Sequence, residues 1–135
     1  MVSIGFVVSN YRKQLTDRML EYAKQKAIEL NARIVSIIRV PGAFECPLAV
    51  KKLLEKKEID GVVVLAVVLQ GKTWHDIIVA ENSARKIADL SIEFEKPVCS
   101  GMIGPRVTKK QAEKRLKRYS EHAVKAVIEM AKIKA

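Results

Sequence analysis

The sequence predicts an α/β fold, a three-layer αβα sandwich built on a four-stranded parallel sheet. Apolar, strand-like segments alternate with segments whose apolar residues recur at helical spacing, in the order βαβαβαβα. The strand-like segments are apolar throughout, which indicates strands buried on both faces, as parallel strands covered by helices are. No linker, repeat or low-complexity stretch interrupts the pattern, so the 135 residues predict one domain.

Two strand–helix units make up the first half of the chain. Residues 3–9 are mainly apolar and predict a buried strand, and residues 12–30 then place apolar side chains at helical spacing. Residues 33–40 are rich in β-branched side chains and predict the second strand, which Pro41-Gly42 closes. Residues 45–57 predict the second helix.

The second half of the chain repeats this alternation. Its last helix is preceded by Thr108-x-x-Gln111, a capping-box pattern in which both side chains bind backbone amides at the helix start. The predicted elements are a strand over residues 62–69, a helix over 74–94, a strand over 98–103 that stops at Gly104-Pro105, and a helix from 108 almost to 135.

Composition excludes several classes of protein. Hydrophobic residues make up 49% and charged residues 30%, which is typical of a globular chain and not of a disordered one. No apolar run reaches the roughly 18–20 residues that span a bilayer, so we expect no membrane partner. Residues 1–10 carry neither a basic leader nor a small-residue cleavage site, so we expect no signal peptide and a cytoplasmic protein.

Charge and the metal-binding residue types narrow the range of partners. The formal net charge of +10 favours an anionic partner, such as a phosphorylated substrate or a nucleic acid, unless it reflects only a lysine-rich solvated surface. Aromatic residues are only 5%, too few for a base-stacking surface, so we expect no nucleic acid. Cys46 and Cys99 lie far apart without metal-ligand spacing and away from both histidines, which predicts packed thiols and no metal site.

The loops at the carboxyl ends of the predicted strands form the expected ligand site. In open parallel sheets, ligands bind outside those strand ends. Four loops leave the predicted strands there, and we expect them to lie together: residues 10–12, 41–45, 70–75 and 100–106.

The segment after the third predicted strand combines an anion-binding turn with a proton-transfer group. A strand, a glycine turn and a helix start in succession direct free backbone amides outward, and phosphate is the commonest guest of such a turn. Gly71, Lys72 and Thr73 supply a small residue, a cation and a hydroxyl, and Thr73 with Asp76 matches a helix-capping pattern. We predict phosphate binding here, with His75 as a base or proton shuttle. A histidine packed beneath a neighbouring loop is the alternative.

Two other loops and the last helix offer further candidates. The loop holding Ala43, Phe44 and Glu45 brings small residues close to a polyhydroxyl ligand, unless it is only a helix entry with an acidic first turn. Tyr11 follows the first strand and is placed either to stack on a planar heterocycle or to cover the core. The basic run from residue 109 to residue 118 is mostly a solvated helix face, from which one arginine is placed to reach a phosphate across a subunit boundary.

Four patterns in the sequence together resemble a known family. The patterns are Val-Pro-Gly-Ala-Phe-Glu-x-Pro at residues 40–47, Gly71-x-Thr73-x-His75-Asp76, Ala-Glu-Asn-Ser-Ala at residues 80–84, and Gln111-Ala112-x-x-Arg115. Over essentially the whole chain, the sequence resembles the 6,7-dimethyl-8-ribityllumazine synthases in their short archaeal form. The resemblance implies the condensation of 5-amino-6-(D-ribitylamino)uracil with 3,4-dihydroxy-2-butanone 4-phosphate, which releases phosphate and water in riboflavin biosynthesis and needs no metal or organic cofactor.

The same resemblance implies a flavodoxin-like single domain over residues 1–135 and a role for each matching residue. Tyr11 replaces the Phe usual in the family, and Ser100 stands where Phe is common, which thins one wall of the pocket. The segment 115–121 is short, so Arg118 is an alternative or additional phosphate ligand. The implied roles are catalytic proton transfer by His75, binding of the pyrimidine and ribityl groups by Tyr11, Ala43, Phe44, Glu45, Val68, Leu69 and Ser100, and phosphate binding by Lys72, Thr73 and the neighbouring subunit's Arg115.

Assembly and alternative functions also follow from the resemblance. It implies a homo-oligomer, either a pentamer or a sixty-subunit shell of pentamers. An archaeal-type riboflavin synthase, which dismutates two lumazines on the same kind of sheet, is one alternative, although that branch lacks the Gly-x-Thr-x-His pattern. A non-catalytic lumazine- or flavin-binding protein is the other.

Overall fold

A parallel four-stranded sheet forms the centre of the computed structural model, which describes residues 1–133. The sheet order is β2-β1-β3-β5, and every neighbouring pair is parallel. The strands are β1 Ser3–Ser9, β2 Arg33–Val40, β3 Gly61–Leu65, β4 Val67–Leu69, β5 Val98–Ser100 and β6 Ile103–Val107, and the helices are α1 Lys13–Glu29, α2 Cys46–Leu54, α3 His75–Phe94, α4 Lys109–Glu113 and α5 Leu116–Ala131, with one 3-10 turn at Ala43–Glu45.

Helices cover both faces of the sheet, because successive side chains of a strand point to opposite sides. Ile4 and Phe6 of β1 pack in the core beneath α1 and α5, whereas Val7 packs in the core beneath α2 and α3. In β3, Val63 and Val64 divide between the two cores in the same way. The predicted three-layer α/β sandwich is confirmed.

Two predicted strands are each divided in the structure. The predicted strand over residues 62–69 breaks at Ala66, and the strand over 98–103 breaks after Ser100. The segments beyond the breaks, β4 and β6, pair with each other in a separate parallel ribbon. Hydrogen bonds tie the two breaks together, with the Ile103 amide donating to the Ala66 oxygen over 2.9 Å.

The expected stop at Gly104-Pro105 was wrong, because β6 continues through both residues to Val107. Proline is excluded from central strands, where its missing N–H would break a ladder, but among residues 1–133 β6 pairs with β4 alone. Gly104 has φ +115°, and a Cβ there would overlap the Val68 carbonyl oxygen. Glycine therefore lets β6 pass close to β4, and the Gly104–Pro105 peptide is cis.

The predicted last helix is two helices, and α2 ends at Leu54 instead of residue 57. The capping box is confirmed: the Thr108 hydroxyl accepts from the Gln111 amide, and the Gln111 side chain accepts from the Thr108 amide. The predicted helix is interrupted near Arg115, between α4 and α5. Helix α5 ends at Ala131, short of the predicted end near residue 135. Residues 134–135, which belong to the predicted last helix and to the predicted domain 1–135, lie outside the residues that the structure describes.

The two cysteines are free thiols, as predicted. Burial, with a smaller contribution from the nearby Glu45 charge, raises the pKa of Cys46 to about 12. Burial also raises the pKa of Cys99 to about 11. Neither thiol is therefore ionised near neutral pH.

No helix within residues 1–133 combines the length and the apolar composition that a bilayer crossing requires. Across the same residues, His, Cys, Asp and Glu side chains form no group of three or more that is suited to a metal ion.

Candidate active site

A cleft of about 390 Å³ opens at the carboxyl edge of the parallel strands, where the predicted loops were expected to meet. Three stretches of chain form its walls: the residue after Asn10, the loop after β2, and the segment from β4 into α3. The lining residues are Tyr11, Gly42, Ala43, Phe44, Glu45, Val67, Val68, Leu69, Gly71, Thr73, His75, Asp76 and Val79.

Most of the predicted site residues lie together in this cleft, although they are distant in sequence. Short connections at the ends of β1, β2 and β4 bring them to one edge, since parallel strands present their carboxyl ends on the same side. The predicted residues that line the cleft are Tyr11, Ala43, Phe44, Glu45, Val68, Leu69, Thr73 and His75.

Three predicted residues do not line the cleft on a single chain. Lys72 is exposed on the turn between two lining residues. Ser100 borders a separate hollow of about 250 Å³, which it shares with Arg118, Tyr119 and His122. The guanidinium of Arg115 donates to the backbone oxygen of Gln111 over 2.8 Å, at the break between α4 and α5.

The turn that begins at Gly71 is open toward the cleft. A Cβ added at Gly71 would meet no heavy atom within 4 Å. Within residues 1–133, the backbone amides of Gly71, Lys72 and Thr73 make no hydrogen bond to the protein. Free backbone amides attract anions through their partial positive charge, and the positive end of the α3 dipole lies next to this turn. The turn is thus suited to an oxyanion.

The expected helix cap at Thr73 and Asp76 was wrong in part. The residue before α3 is Trp74, whose carbonyl accepts from the amides of Ile77 and Ile78, and no side chain caps the helix. The Thr73 hydroxyl instead accepts from the His75 amide over 3.3 Å. Asp76 is absent from the cap because its carboxylate is bound by another residue.

His75 is the first residue of α3 and is exposed at the cleft wall. The alternative of a histidine packed beneath a loop is therefore wrong. Its imidazole is within the same cleft as the open turn, which gives a titratable group access to whatever the turn binds.

Asp76 and Arg106 form an ion pair that the sequence analysis did not anticipate. The Asp76 carboxylate accepts the Arg106 Nη2 over 2.7 Å, the Nε over 3.0 Å and the backbone amide over 2.8 Å. Hydrogen bonds from the Arg106 side chain are the main reason that the pKa of Asp76 falls to about 2, against the opposing effect of desolvation. The sequence predicts Arg106 in one loop of the expected site and Asp76 in the first turn of the helix over 74–94, but their pairing spans 30 positions and no local pattern reveals it.

Aromatic side chains surround the mouth of the cleft, and aliphatic side chains form its floor. Tyr11 is 51% exposed and Phe44 is 55% exposed. The floor is buried, with Val67 and Val68 from the end of the third predicted strand. An apolar floor with aromatic rims suits a flat heterocycle, and Glu45 adds an exposed acceptor at one side.

The fold and the cleft thus define an α/β protein with a candidate small-ligand site at the carboxyl edge of a parallel sheet, lined by an open turn and an exposed histidine. The 6,7-dimethyl-8-ribityllumazine synthase family model matches residues 1–135. The chain belongs to this family.

Archaeal members of the family are similar to the chain over almost its entire length. A 6,7-dimethyl-8-ribityllumazine synthase of Methanococcus vannielii is 48% identical over 132 residues, which are 98% of this chain and 94% of the relative. One from Methanocaldococcus jannaschii is 46% identical, with 98% and 93% covered. One from Saccharolobus islandicus is 48% identical, with 96% and 84% covered.

Proposed function

We propose that this protein is an enzyme that condenses 5-amino-6-(D-ribitylamino)uracil with 3,4-dihydroxy-2-butanone 4-phosphate to give 6,7-dimethyl-8-ribityllumazine, phosphate and water. The observation that carries the proposal is the cleft itself. The exposed His75, Gly71 and Thr73 of the open turn and the loop of Ala43–Glu45 all line this one cleft. Family membership, with 48% identity to an archaeal synthase, supports the same reaction.

The pyrimidine and its ribityl chain occupy the wall formed by the first two loops. Tyr11 stacks on the ring at the exposed rim, and the loop of Ala43–Glu45 holds the ribityl hydroxyls, with Glu45 as acceptor. The backbone of Val68 and Leu69 contacts the ring edge from the floor. This arrangement leaves the turn at Gly71 free for the second substrate.

The phosphate of the second substrate binds the amides of the turn. The Thr73 hydroxyl and the Lys72 ammonium add a hydrogen bond and a charge. The free amides of Gly71, Lys72 and Thr73 support this assignment.

A neighbouring subunit completes the site. Arg115 and Arg118 lie outside the cleft on their own chain, as does Ser100, so they can contribute to a site only from another copy of the chain, and we propose that they do. We infer a homo-oligomer in which Arg115, with Arg118 as alternative or additional ligand, reaches the phosphate across the boundary and Ser100 closes the pyrimidine wall. A pentamer, alone or in a sixty-subunit shell, is the expected form.

The reaction proceeds through an imine. The 5-amino group of the pyrimidine attacks the butanone carbonyl and water leaves, which forms a Schiff base. Loss of a proton from the adjacent carbon then expels phosphate, and the resulting enol tautomerises to a ketone. The ribitylamino nitrogen attacks that ketone, and loss of a second water closes the ring.

His75 moves protons in these steps, because it is the titratable side chain at the cleft wall suited to transfer near neutral pH. Most of the acceleration comes from holding two substrates in register, an effect that reaches about 7–11 kcal/mol in well-oriented reactions. No metal or organic cofactor takes part in the proposed reaction.

Lumazine fluorescence tests the proposal directly. The purified protein, pretreated with a chelator, is mixed with both substrates, and the expected result is lumazine formation at the rate of the untreated protein. Riboflavin formed from lumazine alone would instead identify the riboflavin synthase alternative. If the protein binds lumazine but neither forms lumazine from the two substrates nor converts lumazine to riboflavin, it is a binding protein. We expect no RNA binding even at low salt, where phosphate contacts are strongest, and a cytoplasmic location.

A further inference from the structure

The Arg106 side chain contacts residues that precede and follow His75 in the sequence. Its guanidinium binds Asp76, the residue after His75, through Nε and Nη2. The same Nη2 donates to the backbone oxygen of Thr73 over 3.3 Å. Its carbon Cζ lies 5.1 Å from the centroid of the Trp74 ring, which gives a cation–π contact. One side chain therefore contacts three of the four residues from Thr73 to Asp76.

The backbone of Arg106 is also committed to this contact. Its φ is +61°, a left-handed conformation that side chains other than glycine seldom adopt. In this conformation its amide donates to the Asp76 carboxylate over 2.8 Å. Strain of this kind persists where surrounding contacts over-determine it, and it is concentrated at functional sites.

The turn itself has little else to hold it. Its amides at Gly71 and Lys72 have no acceptor within residues 1–133, and its one side-chain bond joins the Thr73 hydroxyl to the His75 amide. The Asp76 side chain is 3% exposed, so its two oxygens require the three donors that Arg106 supplies. A fork-shaped guanidinium on a buried carboxylate fixes orientation as well as distance.

We propose that Arg106 is a positioning residue, which acts through Asp76 and Thr73 to hold the anion-binding turn and His75 in the geometry that receives the phosphate. The inference rests on the proposed function. It assigns Arg106 no direct contact with substrate, since the residue does not line the cleft.

Steady-state kinetics of four variants test this role. Arg106→Gln removes the charge, Asp76→Asn removes its partner, and the double variant removes both. Arg106→Lys keeps the charge but loses the fork. The control is Arg85→Gln, an equal change of charge on the exposed face of α3.

We expect Arg106→Gln to raise the KM for the butanone phosphate by about 10-fold and to lower kcat, because small misplacements of a reacting group are costly. We expect the KM for the pyrimidine to stay within about two-fold of the parent, since Arg106 contacts Thr73, Trp74 and Asp76 on the phosphate side of the cleft. We expect Asp76→Asn to change the KM for the butanone phosphate and kcat in the same way, and the double variant to be no worse than either single variant. Arg106→Lys should recover part of the loss in these two constants. The control Arg85→Gln should have the constants of the parent.

Three results would overturn the proposal. If urea unfolding shows a lower stability while both KM values and kcat of the folded variants stay unchanged, the Asp76–Arg106 ion pair only stabilises the fold. Additive losses in the double variant, with Arg106→Gln the worse of the two, would make Arg106 a direct phosphate ligand. Equal increases of both KM values would mean general damage to the cleft.

Calorimetric binding of inorganic phosphate separates this inference from the proposed reaction. If the parent protein makes no lumazine, the proposed function fails, and weaker phosphate binding by Arg106→Gln than by Arg85→Gln still supports the positioning role. Equal phosphate binding by these two variants would contradict the positioning role whatever reaction the parent catalyses.

Discussion

His75 is the first residue of α3, and its imidazole is exposed in the cleft. Its amide donates to the Thr73 hydroxyl, so the residue lies next to the open turn that begins at Gly71. We expect His75→Ala to slow turnover by about 10–100-fold without abolishing it, because proton transfer is one contribution beside substrate alignment. Single-turnover lumazine fluorescence measures this. Complete loss of turnover in a folded variant would mean that His75 forms an indispensable bond to substrate.

The Asp76 carboxylate makes stability depend on pH at the acidic end. The pKa of this carboxyl falls from 3.8 to about 2 in the folded protein, mainly because the Arg106 side chain donates hydrogen bonds to it. Since the unfolded chain binds the proton more tightly, the stabilisation is complete above about pH 4 and is lost as pH falls toward about 2. The excess unfolding free energy of the parent over Asp76→Asn should therefore shrink across that range in urea titrations. An excess that stays constant would contradict the assignment, and Asp89→Asn, an exposed change on α3, is the control.

At the scale of elements, we expect a substitution in the turn between β4 and α3 to affect substrate binding without destabilising the fold. A side chain at Gly71 meets open space, and its φ lies outside the range that only glycine favours, so alanine fits the folded chain. We expect Gly71→Ala to leave the thermal midpoint unchanged or slightly raised, because the substitution reduces the freedom of the unfolded chain. The KM for the phosphorylated substrate should rise, since the methyl group occupies the ligand side of the turn. A fall in stability with unchanged KM would show that the glycine serves the fold alone.

The ribbon of β4 and β6 positions Arg106 relative to that turn. Gly104 permits the close approach to Val68, and β6 then delivers Arg106 opposite Asp76. Strand patterns did not anticipate this, because a Gly-Pro pair normally ends a strand and the pairing of a short edge strand depends on residues far away in sequence.

At the scale of the molecule, we propose that the site is divided between copies of the chain. Arg115→Ala should raise the KM for the phosphorylated substrate and leave the pyrimidine's affinity nearly unchanged. If His75 and Arg115 act from different subunits, oligomers reassembled from equal amounts of His75→Ala and Arg115→Ala contain about a quarter of sites with both residues intact, given random mixing. Activity of the mixture should then exceed the mean of the two variants. Activity equal to that mean, with mixed oligomers confirmed by native mass spectrometry, would place both residues on one chain's site.

The sequence by itself determined the alternation of strands and helices, the parallel sheet covered on both faces and the loops that line the cleft, because hydrophobic period and strand-end turns are local properties. It also located His75, Thr73 and the loop of Ala43–Glu45. Only the tertiary structure decided that β6 passes through Gly104-Pro105, that Asp76 pairs with Arg106 instead of capping α3, and that Ser100 lies in a different hollow from Tyr11. These outcomes depend on contacts between distant segments, whose geometry no local spacing encodes.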